Sequence, residues 1–188
     1  MKTKLSGLII LAAVIVASSC FTACDKLEKL TEITFGYTYK SDTFPVPAIP
    51  TAGDVDLSIK LVNTNINTIL SDNGVSKDKF KSAYIKSINL ELIDSTTVFN
   101  PLDFDFISKM NIYIEADGKP KKLIASKDPV PTGVNSFALD MQSIDLQNYF
   151  DKNNVTLTFS GTVVTPTDHA VRLVPTIRVE FTGDIIEN

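Results

Sequence analysis

The chain has 188 residues, a net charge of -4, two cysteines, one histidine and no tryptophan. That length suits one domain or two small ones, and a composition with 44% hydrophobic and 21% charged residues excludes wholesale disorder. The acidic balance argues against nucleic acid as a partner, which needs a basic face. One histidine and two cysteines leave little from which to build a zinc site or a histidine-based triad.

Lys2 and Lys4 precede an unbroken apolar run over residues 8–17. Such a run falls short of the roughly 20 residues that cross a ~30 Å hydrocarbon core and matches the apolar region of a secretory signal. Small residues and both cysteines follow, as Ala17-Ser18-Ser19-Cys20-Phe21-Thr22-Ala23-Cys24, and the character then changes at once to Asp25-Lys26-Leu27-Glu28. The segment resembles a bacterial lipoprotein signal, and its Phe-Thr-x-Cys followed by Asp and Lys is similar to those of Bacteroidota. The resemblance implies a signal peptide over 1–23, diacylglycerol on the Cys24 thiol and a tether over 24–30. Cys20, which follows Ala17-Ser18-Ser19, is the alternative lipidation site. It also implies an outer-membrane lipoprotein, on the periplasmic face or at the cell surface. Loss of 1–23, which hold two lysines and no acid, would leave 165 residues with a net charge of -6 and no cysteine besides the anchor.

The mature sequence reads as alternating strands forming one domain over 31–184. Ile33, Phe35, Tyr37 and Tyr39 share one face of the first. Residues 44–50 carry prolines at 45, 47 and 50, which confines them to an edge or a connector. Val55, Leu57, Ile59 and Leu61 alternate with Asp54, Asp56, Ser58 and Lys60, the clearest period-2 signal in the chain. Residues 63–82 break the pattern and predict a long connection with one or two short helices, Ser76 capping a turn. Tyr84, Lys86, Ile88, Leu90 and Leu92 fall in one phase of the next strand. Met110, Ile112, Ile114 and Ala116 form another, ended by Asp117-Gly118, a hairpin signal, with a return strand over 123–126. Phe137, Leu139 and Met141 alternate again. Residues 143–151 predict a short helix capped by Ser143, burying Leu146, Tyr149 and Phe150. Val155, Leu157 and Phe159 make a further strand, and Leu173, Ile177, Val179 and Phe181 the last, in which Pro175 predicts an edge or a bulge. One-sided alternation suits antiparallel sheets. The expected fold is an all-β antiparallel sandwich of about eight strands, with a closed barrel as the competing architecture. In texture the domain resembles β-sandwich lipoproteins of Bacteroidota, a resemblance that carries no site residues.

Few side chains suggest chemistry. Asp103 and Asp105 alternate with Phe104 and Phe106, which predicts two carboxylates on one strand face, as for Asp54 and Asp56. Paired acids could bind calcium or hydrolyse a glycoside, and Asp103 and Asp105 are the weak catalytic candidates. No Asp-x-Asp-x-Asp-Gly, HExxH or GxSxG pattern occurs, and neither a metal nor a cofactor is expected. Asp72-Asn73-Gly74 reads as a turn. His169 falls in a turn beside Asp168, whose side chain an extended backbone would point away. Asp94-Ser95-Thr96 resembles the O-glycosylation acceptor motif of Bacteroides-type periplasms, with Ser95 as the acceptor. The Tyr37/Tyr39 pair shares the apolar phase and reads as core rather than as a sugar-stacking platform. The expected function is that of a lipid-anchored, non-catalytic binding or structural accessory protein with a protein or glycan partner. The alternatives are a hydrolase using paired aspartates and a carrier of an apolar ligand held between the sheets.

Overall fold

A computed structural model of the chain describes residues 32–40, 43–94 and 103–185. Cys20, Cys24, the tether and Ser95 lie outside them. Ten strands and two helices follow in chain order: β1 (Glu32–Lys40), β2 (Phe44–Val46), β3 (Gly53–Asn63), α1 (Ile66–Asp72), β4 (Val75–Asp94), β5 (Ile107–Ala116), β6 (Lys119–Lys127), β7 (Ser136–Ala138), β8 (Asp140–Met141), α2 (Gln147–Phe150), β9 (Asn154–Val163) and β10 (Val171–Ile185). They form two five-stranded sheets, one ordered β1-β10-β4-β7 with β2 also on β10, the other β3-β9-β5-β6-β8. Every ladder is antiparallel. This is the expected antiparallel β-sandwich, with Phe44, Phe104, Phe159 and Phe181 among the largest side chains wholly inside it.

The alternation holds where strands run without interruption. Met110, Ile112, Ile114 and Ala116 are buried on β5, and Val155, Leu157 and Phe159 on β9. Gly118, at φ 68°, supplies the positive φ that the tight β5–β6 turn requires. It fails at β-bulges, each of which inserts one residue and reverses the facing of all that follow. In β3, Asp56 opposes Ser160 and Ser58 opposes Phe159, so Leu57 is the extra residue. Beyond it Lys60 and Val62 turn inward, while Ile59 and Leu61, expected in the core, are 60% and 65% exposed. In β4, Ser87 pairs with Arg178 and Ile85 with Val179, leaving Lys86 as an insertion. Ala83 and Ile85 are therefore buried, and Tyr84 and Lys86 do not share the inward phase of Ile88. The expelled lysine reaches Glu180 at 2.7 Å.

Three further expectations are corrected. The connection after β3 holds one short helix, α1, as expected, but it is shorter than 63–82, because β4 begins at Val75. Ser76 caps no turn; it lies in β4 and donates to Asp78 Oδ1 at 2.6 Å. The α1 terminus is the Asp72-Asn73-Gly74 turn, with Gly74 at φ 73° and the Asn73 amide donating to the Ile69 carbonyl at 2.8 Å. Ser143 does not cap α2. Asp145 Oδ1 instead accepts the Gln147 N–H at 2.9 Å and the Ala83 N–H of β4 at 3.1 Å. Finally, Pro175 lies on β10, a central strand. The Leu139 N–H donates to Ile88 O and the Leu92 N–H to Asn135 O, so Ile88, Leu90 and Leu92 direct their backbone groups away from β10. Pro175 opposite Leu90 therefore turns its nitrogen from β4 toward the other side. There β2 pairs only as far as Leu173 and β1 only from Thr176, so no ladder bond is lost.

The run Phe137-Leu139-Met141 is not one strand. β7 pairs with β4 in the first sheet and β8 with β6 in the second, so these few residues cross between the layers and bury Phe137 and Leu139 on the way.

Candidate functional site: the seam between β1 and β3

β1 and β3 are the outer strands of their respective sheets. A cavity of about 300 Å3 lies between the sheets and is bordered by both strands. Its floor is apolar: Ile85 of β4, Ile114 of β5, Leu157 of β9, Ile177 of β10 and Phe150 of α2. Its rim is polar and cationic, with Tyr37, Tyr39 and Lys40 from β1 and Lys60 and Thr64 from β3 and the turn after it. The lining contains two lysines and, among the described residues, no acid.

The β3 bulge builds half of this rim. By turning Lys60 inward beside Leu157, it carries the ammonium to 3.4 Å from the Thr43 carbonyl and 5.2 Å from the Phe44 ring centre. The stem covers apolar surface while the charge stays near solvent. The same shift places Ile59 and Leu61 on the outer side of the strand.

Tyr39 closes one end. Its hydroxyl donates to the Thr64 carbonyl at 2.7 Å. Thr64 is buried, its own hydroxyl donating to the Lys152 carbonyl at 2.7 Å and its N–H to Asn153 O at 2.9 Å. Burial, with a smaller contribution from Tyr37, pushes the Tyr39 phenol well above its ordinary value. Tyr37 packs edge-on against Tyr39 at 4.8 Å and is 38% exposed. The pair is thus split between core and surface rather than wholly core.

Tyr39→Phe is expected to cost about 1 kcal/mol at neutral pH by leaving the Thr64 carbonyl without its donor. The fold favours the neutral phenol, so this contribution is intact below the unfolded value of ~10 and fades as pH rises beyond it. Urea unfolding of wild type and variant should show a stability gap that narrows above about pH 10; a gap that widens there contradicts the assignment.

The acids singled out in the sequence lie elsewhere. Residues 103–106 form a turn, not a strand. Asp103 Oδ1 accepts the Asp105 N–H at 3.1 Å and Asp105 Oδ1 the Gly133 N–H at 2.6 Å. Phe104 and Phe106 are both buried and stack at 6.4 Å. The two carboxylates bind neighbouring backbone instead of sharing a strand face. Asp54 and Asp56 do lie on the outer face of the second sheet, where Asp54 Oδ1 accepts from the Thr162 hydroxyl at 2.5 Å. Asp168 and His169 do not point apart: their side chains meet at 2.8 Å in an exposed turn, and the imidazole holds the Asp168 carboxyl below its usual range. Among the described residues, no three His, Cys, Asp or Glu side chains are placed to hold a metal ion.

The rim was missed because Lys60 reads as the polar phase of β3. Only a one-residue insertion at Leu57 turns it inward, and neither Leu57 nor Ser58 differs in type from an ordinary strand residue.

No family model and no curated protein matches the chain. Among solved structures, similarity is found to the VP2 subviral particle of infectious bursal disease virus, at 12% identity over 80% of this chain and 33% of that one, with a TM-score of 0.39. Desmodium yellow mottle tymovirus aligns at 9% identity over 84% and 85% of the two chains, with a TM-score of 0.27. The chain spans about a third of the length of the bursal-virus protein. Neither similarity bears on what the chain does.

Proposed function

We propose that this is a lipid-anchored outer-membrane protein of a Bacteroidota-type envelope that acts by binding, without catalysis, through the seam between β1 and β3. The observation that carries the binding reading is the outward turn of Ile59 and Leu61 on a border strand beside an open apolar cavity. Exposed apolar side chains grouped at one place mark contact surfaces. The bulge and the inward Lys60 are devices that guard a sheet edge against self-pairing, which leaves side-chain contact as the mode of binding. The hydrolase reading draws no comparable support, since Asp103 and Asp105 are engaged by backbone donors. Anchorage rests on the residues around Cys20 and Cys24.

Two tests separate the parts. Cys20→Ala with Cys24→Ala should release the protein from the membrane fraction, because each buried methylene of the acyl chains contributes ~0.8 kcal/mol; retention of the double variant contradicts the anchor. Ile59→Ser with Leu61→Ser should leave the melting temperature within a few degrees, as both side chains are exposed, yet reduce capture of a specific species by crosslinking in intact cells by at least tenfold. Undiminished capture contradicts the seam.

A further inference from the structure

We infer that a second copy of this chain is the partner at the seam, a step that rests on the binding reading above, and that it docks by pairing its β1 antiparallel to the β1 of the first. β1 borders its sheet, and β10 is its only partner among the described strands. The guards on β3 have no counterpart here. β1 pairs with β10 over nine residues without a register shift, and residues 33–39 hold neither a charge nor a proline, the usual means of blunting an edge. The direction of its free groups follows from the ladder. Ile88 directs its backbone away from β10, so Ile177 opposite it directs its own toward β1, where it faces Tyr39. Successive residues of an antiparallel strand alternate in this direction. The odd-numbered residues of β1 therefore bond to β10, and Glu32, Thr34, Gly36, Thr38 and Lys40 offer N–H and C=O to the open edge. Such groups face each other in a two-fold pair, and one register uses all five, with Gly36 on the axis. Thr34 then faces Thr38 of the second copy, and Glu32 faces its Lys40.

Charge selects the same register. Glu32 and Asp184 share Lys81, at 2.8 and 2.6 Å, which leaves one negative charge in excess at the first end of β1. Lys40, at the other end, is exposed and faces Thr176 on β10. Antiparallel pairing about Gly36 sets acid against cation at both ends. In-register parallel pairing sets like against like, and a one-residue slip opposes free backbone groups to engaged ones. The core-facing side fits the same occupant. Ile33, Phe35 and Tyr39 are only partly buried and Tyr37 is 38% exposed. Pairing sets Phe35 against Tyr37 and Ile33 against Tyr39 of the second copy, in the closer, non-hydrogen-bonded type of pair, and covers all four.

One strand pair is smaller than the standard interface of about 1,600 Å2, so the pairing is best trapped covalently in whole cells. Two tagged copies of the full chain, one with Thr34→Cys and one with Thr38→Cys, are co-expressed, the cells oxidised, and the linkages located by peptide mass spectrometry. Both positions are exposed, and a hydrogen-bonded pair holds its Cα atoms about 5.5 Å apart, within disulfide range. A mixed 34–38 disulfide is expected, at least tenfold above the 34–34 and 38–38 products, whose positions the register sets far apart along the strands. Lys40→Glu on both copies should cut the mixed product at least threefold, because the facing pairs at both ends turn repulsive, and adding Glu32→Lys should restore it. Equal amounts of the three products, or a mixed product indifferent to Lys40→Glu, overturns the proposal. If no mixed disulfide forms while position 61 still captures another species by photocrosslinking, self-pairing falls and the seam stands; if neither occurs, both fall.

Discussion

Gly161→Ala is expected to destabilise the protein by about 3 kcal/mol, near the upper end for an overpacked core, and to lower its melting temperature by roughly 10 °C. Gly161 lies on β9, the strand between β3 and β5. A Cβ there would stand 2.7 Å from the Lys109 carbonyl oxygen, 3.2 Å from Leu57 Cδ1 and 3.3 Å from Ile107 Cγ2. The nearest of these is backbone of the neighbouring strand, which cannot swing aside as a side-chain tip can. The second is the residue inserted by the β3 bulge, so the glycine makes room for the side chain whose insertion turns Lys60 inward and Leu61 outward. Removing that side chain with Leu57→Ala should not rescue Gly161→Ala, because the Lys109 carbonyl remains. Thermal unfolding followed by circular dichroism checks this; a loss under 2 °C contradicts the close packing of β9 on β5.

Phe181→Ala is expected to cost more, about 5 kcal/mol, the upper end for a buried phenylalanine. Phe181 is wholly buried on β10 and meets aromatic rings from three other elements: Phe35 of β1 at 5.8 Å, Phe80 of β4 at 6.0 Å and Phe150 of α2 at 5.4 Å. Phe150 in turn touches Tyr39 at 6.0 Å, so the array runs from the deep core to the cavity rim. Each such pair contributes ~0.5–1.5 kcal/mol beyond the area it buries, which places this site above an isolated core residue. Against a total stability of about 5–15 kcal/mol, the loss removes at least about a third of it. Urea titration should show a midpoint displaced far toward zero with the slope unchanged; a loss under about 1 kcal/mol contradicts the central role of this ring.

How far the architecture was legible follows from these particulars. Period-2 alternation located nearly every long strand, because one face of each is buried and the other solvated. It could not reveal that Leu57 and Lys86 are insertions, since a bulge leaves no mark in residue type and shows only in the partner strand's register. Pro175 misled for a related reason: proline excludes a ladder bond on one side only, and which side is free depends on where β1 and β2 stop. Asp103 and Asp105 misled because aspartate accepts backbone N–H groups in turns as readily as it lines a strand. The candidate site escaped notice because its rim is assembled from two border strands, and which borders adjoin is a property of topology. The fold class was thus open to reading from pattern, whereas the seam was not.

The lipidated cysteine proposed at Cys24 stands only a few residues before Glu32, where the first strand begins, and the same strand carries Tyr37, Tyr39 and Lys40 at the rim. On the proposed anchorage, the seam lies on the first described strand after the lipidated cysteine.

The most direct measurement is site-resolved photocrosslinking in living cells, with a photoreactive amino acid placed singly at Tyr37, Ile59 and Leu61 on the seam and at Glu91, Asp128 and Asp140 away from it. A non-catalytic binding protein working through this seam predicts one discrete adduct at the first three positions and none at the others. The same adduct at all six, or at the distant three alone, would contradict it.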